Sequence, residues 1–136
     1  MKKILIILLA VTIVGIATGK TQTITQDSVM KKISKGRSYT LVLLKDSLPL
    51  SSSNAKEDKK MQMDHLIHLF QMEKEGKISI FGPAVNDSRL TGIIIFNTTD
   101  QSLIKKELEG DPYIKSGHLK YELYTWFSLP GQKLPE

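Results

Sequence analysis

Three histidines and a handful of carboxylates carry most of the chemistry this chain could do. His65 and His68 stand one turn apart in a stretch of helical character. An imidazole titrates near neutrality, so either could pass a proton as general acid or base if a carboxylate fixed its ring. His-x-x-His without a placed carboxylate or third histidine is not a metal motif, and no metal site is expected. Asp87 lies in a Val-Asn-Asp-Ser turn, where Asx side chains commonly bond their own backbone. Asp111 precedes Pro112, a position suited to capping or turning the chain. There is no cysteine, which excludes a thiolate ligand, a cysteine nucleophile and a disulfide framework. No Gly-x-Ser-x-Gly, phosphate-cradling glycine loop, dinucleotide fingerprint or His-Glu-x-x-His occurs, so no cofactor is called for.

The elements that must position these residues follow a simple order. Tyr39–Lys45 is a β-branched and aromatic run of strand length. A proline- and serine-bearing loop follows. Asn54 is a fair N-cap for a helix over residues 55–75, with Glu57 completing a weak capping box and Gly76 stopping it. Met63, Leu66, Ile67 and Phe70 recur at helical spacing and are expected to face the core. Met61, His65, His68 and Met72 then lie opposite, with Leu69 on the flank, on a side that something else must cover. Residues 77–82 and 91–97 are strands joined by a turn region. Thr99 or Asp100 caps a shorter helix bearing Leu103, Ile104 and Leu108, which ends at Gly110-Asp111-Pro112. Residues 118–127 alternate as a last strand, with Leu119, Tyr121, Leu123 and Thr125 on one face and Lys120, Glu122, Tyr124 and Trp126 on the other.

The resulting β-α-β-β-α-β order is α+β, the ferredoxin-like split βαβ arrangement with helices on one sheet face. The other face then needs a cover, most economically the same face of a second subunit in a C2 homodimer. The organisation expected is a signal peptide over residues 1–19, a linker over 20–38, a domain over 39–127 and a tail over 128–136.

Taken together, these residues resemble the YCII-related (YciI-like) family, in an exported branch. The resemblance rests on His65-Leu66, Glu75-Gly76-Lys77 and Phe81-Gly82-Pro83, then Asn86-Asp87 and Leu90-Thr91-Gly92. It continues through Asp111-Pro112, Lys115-Ser116-Gly117-His118-Leu119, Glu122 and Trp126. It implies a ferredoxin-like subunit paired as a dimeric α+β barrel, with an active site built on His65 and Asp87. Thr91 stands where this branch often has arginine, and Asn86 where a second aspartate is common. The lengths suit a His65–Asp87 pair. The helix from His65 to Gly76 spans about 16 Å at 1.5 Å per residue. The strand back to Gly82 covers about 17 Å at 3.3 Å per residue.

Two functions fit these features. One is a small cofactor-independent enzyme of isomerase, lyase or hydrolase type, using a His65–Asp87 proton-transfer pair on a small organic molecule. The other is an envelope protein that holds a small ligand without turnover. The formal charge is +5, from 19 basic and 14 acidic residues. No Lys/Arg cluster is interleaved with aromatics, so nucleic acid is not an expected partner.

Met1-Lys2-Lys3 is a short basic start, and residues 4–17 read ILIILLAVTIVGIA. That apolar run falls short of the ~20 residues a spanning helix needs and fits a signal-peptide core, with Ala17-Thr18-Gly19 as the small-residue cleavage site. The membrane would be a partner only if this segment stayed uncleaved. Export to the periplasm or beyond is therefore the expectation. Intact-mass analysis of envelope-purified protein should show a chain beginning at Lys20; full-length protein confined to the membrane pellet would refute it.

Overall fold

The computed structural model describes residues 23–47, 55–85 and 89–136. The expected leader, Asn54 and Asp87 lie outside these residues. Four strands and four helices occur in the order α1 (Gln26–Ile33), β1 (Arg37–Asp46), α2 (Ala55–Lys74), β2 (Ile78–Pro83), β3 (Gly92–Phe96), α3 (Gln101–Glu109), α4 (Pro112–Lys115) and β4 (Leu119–Ser128). The sheet order is β2-β3-β1-β4, with every neighbouring pair antiparallel. This is the ferredoxin-like α+β arrangement that the element order implied.

Register assigns the two sheet faces. Val42 opposes Ile94 and Leu123, and Leu44 opposes Gly92 and Tyr121, so these residues share the helix side. Val42, Leu44, Ile78, Ile94, Phe96 and Leu119 form the core there with Ile104 and Leu108 of α3 and Tyr113 of α4. The alternation expected for β4 is the one found. The other face carries Leu41, Leu43, Ile93 and Ile95. At one end of that face, Tyr39 and Ile95 are buried. There the chain beyond β4 turns back, and Leu129, Pro130 and Leu134 line a small cleft with Tyr39, Ile95 and Trp126. The segment expected to be a tail thus covers part of the face away from the helices.

Helix ends follow local chemistry. Lys77 N–H reaches the Met72 carbonyl at 2.9 Å while Gly76 adopts φ +71°, a left-handed exit from α2 that glycine accommodates without strain. Asp100 caps α3 by accepting from the Ser102 and Leu103 amides. The expected linker contains α1, opened by a reciprocal Thr25–Ser28 capping box. None of its residues is buried.

The largest departure concerns α2. Leu69 and Met72 enter the core, and Met61 packs against it. Met63, Ile67 and Phe70, expected to be core, are 56, 60 and 58 % exposed, and Leu66 is also exposed. The helix is turned about its axis relative to the expectation, so the side bearing His65 and His68 faces inward. The reason lies on α3 and α4. His68 Nε2 bonds the Glu107 carbonyl at 2.9 Å and His65 Nδ1 meets Asp111 at 2.6 Å, so the polar groups on this side have partners only when it packs inward. Phe70 keeps one contact, an edge-on approach to Phe81 with centroids 5.1 Å apart.

This orientation reverses the stability ranking that the apolar spacing suggests. Met72→Ala should cost about 2–5 kcal/mol, the range for truncating a buried side chain. Phe70→Ala should cost about 1 kcal/mol, the scale of one aromatic pair. Urea unfolding of the two variants checks this, and a larger loss for Phe70→Ala would restore the opposite helix orientation.

Candidate functional site

The site sits at the sheet end where β1 and β2 finish and β3 and β4 begin. A cleft of about 860 Å³ opens there between α2, the strand ends and α4. Its walls include Leu44, Leu69, Phe81, Tyr113 and Leu119, and its polar groups include Asp46, Gln62, His65, Thr91 and His118. Volume and mixed lining suit a small organic molecule. Gly92 belongs to the cleft floor for a steric reason. A Cβ there would stand 2.9 Å from the Gly82 carbonyl oxygen, so only glycine permits this approach of β2 and β3.

His65 is held by a buried carboxylate. Asp111 ends the α3–α4 connection and caps α4, its Oδ1 accepting from the Tyr113 amide at 2.9 Å and the Ile114 amide at 3.4 Å. Its Oδ2 lies 2.6 Å from His65 Nδ1. The His65 side chain is 14 % exposed and that of Asp111 2 %. A carboxylate only accepts, so Nδ1 of His65 donates and the neutral ring keeps its lone pair on Nε2. No buried side-chain nitrogen or oxygen among the described residues lacks a partner, and Nε2 bonds none of them. A base whose ring is oriented by a carboxylate on the far nitrogen is the geometry of general acid–base catalysis.

Tyr113 lies beside the pair. Its ring meets His65 edge-on at 5.4 Å and His118 edge-on at 5.9 Å. Burial, with nearby carboxylates adding to it, pushes the Tyr113 hydroxyl above its usual range. It is a neutral wall between the two imidazoles. Asp46 is fixed at the cleft by the Thr91 hydroxyl, which donates to Oδ1 at 2.9 Å.

The structure brings together some of the residues that sequence reasoning singled out. His65 is in the cleft with a carboxylate partner, and that partner is Asp111. Asp87 lies outside the described residues. His68 points to α3 and does not join His65. No group of three or more His, Cys, Asp and Glu side chains among the described residues could hold a metal. Asp111 was legible as a cap; its second oxygen, committed to a ring 46 positions away, was not. His118 was read as the first residue of the last strand and as part of the family resemblance, and was not singled out as a site residue.

Comparison with known proteins gives two matches. A family model described as the YCII-related domain matches residues 40–127. No curated protein matches the sequence. Among solved structures, the chain is similar to 5-chloro-2-hydroxyhydroquinone dehydrochlorinase from Burkholderia phenoliruptrix, in complex with 2,5-dihydroxybenzoquinone. Identity is 19 % and the TM-score 0.46, over 64 % of this chain and 92 % of that one.

Proposed function

This chain belongs to the YCII-related domain family, and we propose that it is a small enzyme moving protons on a small organic molecule held in the cleft. His65 is the acid–base residue and Asp111 the residue that orients it. The reading is carried by one observation: a nearly fully buried carboxylate, already capping a helix, spends its second oxygen on the ring of a cleft histidine at 2.6 Å. The first oxygen caps the helix. The second both holds α2 in place and fixes the His65 tautomer, which leaves the Nε2 lone pair for proton transfer.

The reaction class is one that acid–base help alone can drive, such as isomerisation, enol or lactone chemistry, or elimination. Turnover screening and metabolite co-purification with the purified protein test this. His65→Gln should lower kcat about 10²–10⁴-fold, the usual contribution of a positioned acid or base. Asp111→Asn should also lower it while retaining the helix cap, because an amide oxygen still accepts from the backbone. Wild-type activity in a folded His65→Gln protein would eliminate the proposal.

The working form is a homodimer, closed over the sheet face away from the helices and exported by the N-terminal segment. The apolar Leu41, Leu43 and Ile93 on that face, with Tyr124 exposed beside them, support the pairing. Light scattering at micromolar concentration should give twice the chain mass; a monomer would count against it.

A further inference from the structure

The proton-transfer reading leaves one side of the cleft unused. His118 lines it with His65, the edge of Tyr113 between them. Nδ1 of His118 is engaged by the Ser116 hydroxyl at 2.8 Å, and its backbone N–H by the Tyr113 carbonyl at 3.0 Å. Its own carbonyl accepts from the Ser47 amide at 2.9 Å, tying it to the end of β1. Nε2 is again the ring nitrogen without a partner among the described residues. Two imidazoles thus enter one cleft from different elements, each secured through Nδ1.

The charges of the cleft narrow what it can take. Among the described residues, no lysine or arginine lines it. Among the same residues, Asp46 lines it and Asp111 stands behind His65. A phosphate or carboxylate ligand would enter without a permanent countercharge and beside fixed negative charge, which disfavours it. The cleft walls are otherwise largely apolar. An uncharged, ring-sized molecule with a polar group fits, and among the described residues lining the cleft a protonated histidine is the group that can bring positive charge to an oxyanion formed during reaction.

We propose that His118 is the second catalytic group of this cleft, donating from Nε2 to the carbonyl oxygen of an uncharged, enolisable substrate while His65 takes the proton from the adjacent carbon. This rests on the acid–base reading of His65. In the step, the C–H electron pair becomes the C=C bond and the carbonyl π pair moves to oxygen. The proton from carbon goes to His65 Nε2, and the proton on His118 Nε2 goes to oxygen. An enol results, His65 ends protonated against Asp111, and His118 ends neutral. Returning a proton to a different carbon completes an isomerisation.

The test uses 2-tetralone, an uncharged enolisable ketone of ring size, and follows deuterium uptake at its α-carbons in heavy water by NMR. The wild-type protein should accelerate uptake, and phenyl phosphate should not compete. His118→Phe should lower kcat about 10²–10³-fold with KM little changed, the loss typical of an oxyanion donor. His118→Gln, which can donate an N–H but not give up a proton, should recover part of it. Both variants are to be compared at matched thermal unfolding. Loss of exchange in His65→Gln with both His118 variants near wild type overturns the role of His118 and leaves the His65 reading standing. Exchange unaffected by any of these substitutions overturns both. No exchange with the wild-type protein, or inhibition by phenyl phosphate, overturns the uncharged-substrate assignment.

Discussion

A carboxylate cannot stay buried without donors, and the placement of Asp111 organises the functional half of this molecule. Its donors come from two directions. The Tyr113 and Ile114 amides bind it from α4, and the His65 ring binds it from α2. Asp111 follows the end of α3 directly, and α4 leads within a few residues into β4. One side chain therefore relates the two long helices to the strand end that closes the cleft. Leaving a buried acceptor without one of its donors typically costs about 1–3 kcal/mol, and more for a charged group. That is a large fraction of a small domain's stability, and it holds α2 to one rotation about its axis.

That rotation has a consequence on the outside of the helix. With His65, His68, Leu69 and Met72 turned inward, Met63, Ile67 and Phe70 are left on the solvent side. A helix chosen only for apolar burial would have packed the other way. Hydrogen bonding decides the outcome because an inward imidazole with a partner costs little, whereas a buried Asp111 without His65 costs much. Part of the outer apolar surface is not idle. Leu66 reaches the cleft, and Phe70 supports Phe81 in its wall.

The sheet was legible because its signals are local. β-Branched runs separated by turn residues mark β1, β2 and β3, and the period-two alternation of β4 assigns its faces correctly. Caps were legible for the same reason, as at Asp100 and Gly76. Thr25 and Ser28 also announced a helix, though within a stretch polar enough to read as linker. The rotation of α2 was not legible. Apolar residues occur on both of its sides, and the tie-breakers are a backbone carbonyl on α3 and a carboxylate on α4. Neither stands near His65 or His68 in sequence. The site was half legible on the same principle. His65 was identified as the acid–base candidate, and Asp111 as a cap, but a side chain with two oxygens can serve a local and a distant partner at once.

The dyad and the apolar walls of the cleft reinforce each other. In open water, the interaction of an imidazole with a carboxylate is weakened by the high dielectric. Here Asp111 is removed from solvent and the His65 ring largely so, and the water near the pair is that of the cleft His65 lines. A ligand that fills the space against Leu69, Phe81 and Leu119 displaces that water. In the proposed reaction, the positive charge His65 would gain on taking a proton would face Asp111 through a less polar medium, which would strengthen their attraction at the moment of proton transfer. Apolar contact at one end of the molecule thereby sharpens chemistry at the other. A cleft mostly lined by leucine and aromatic rings is in this sense part of the acid–base apparatus as well as its container.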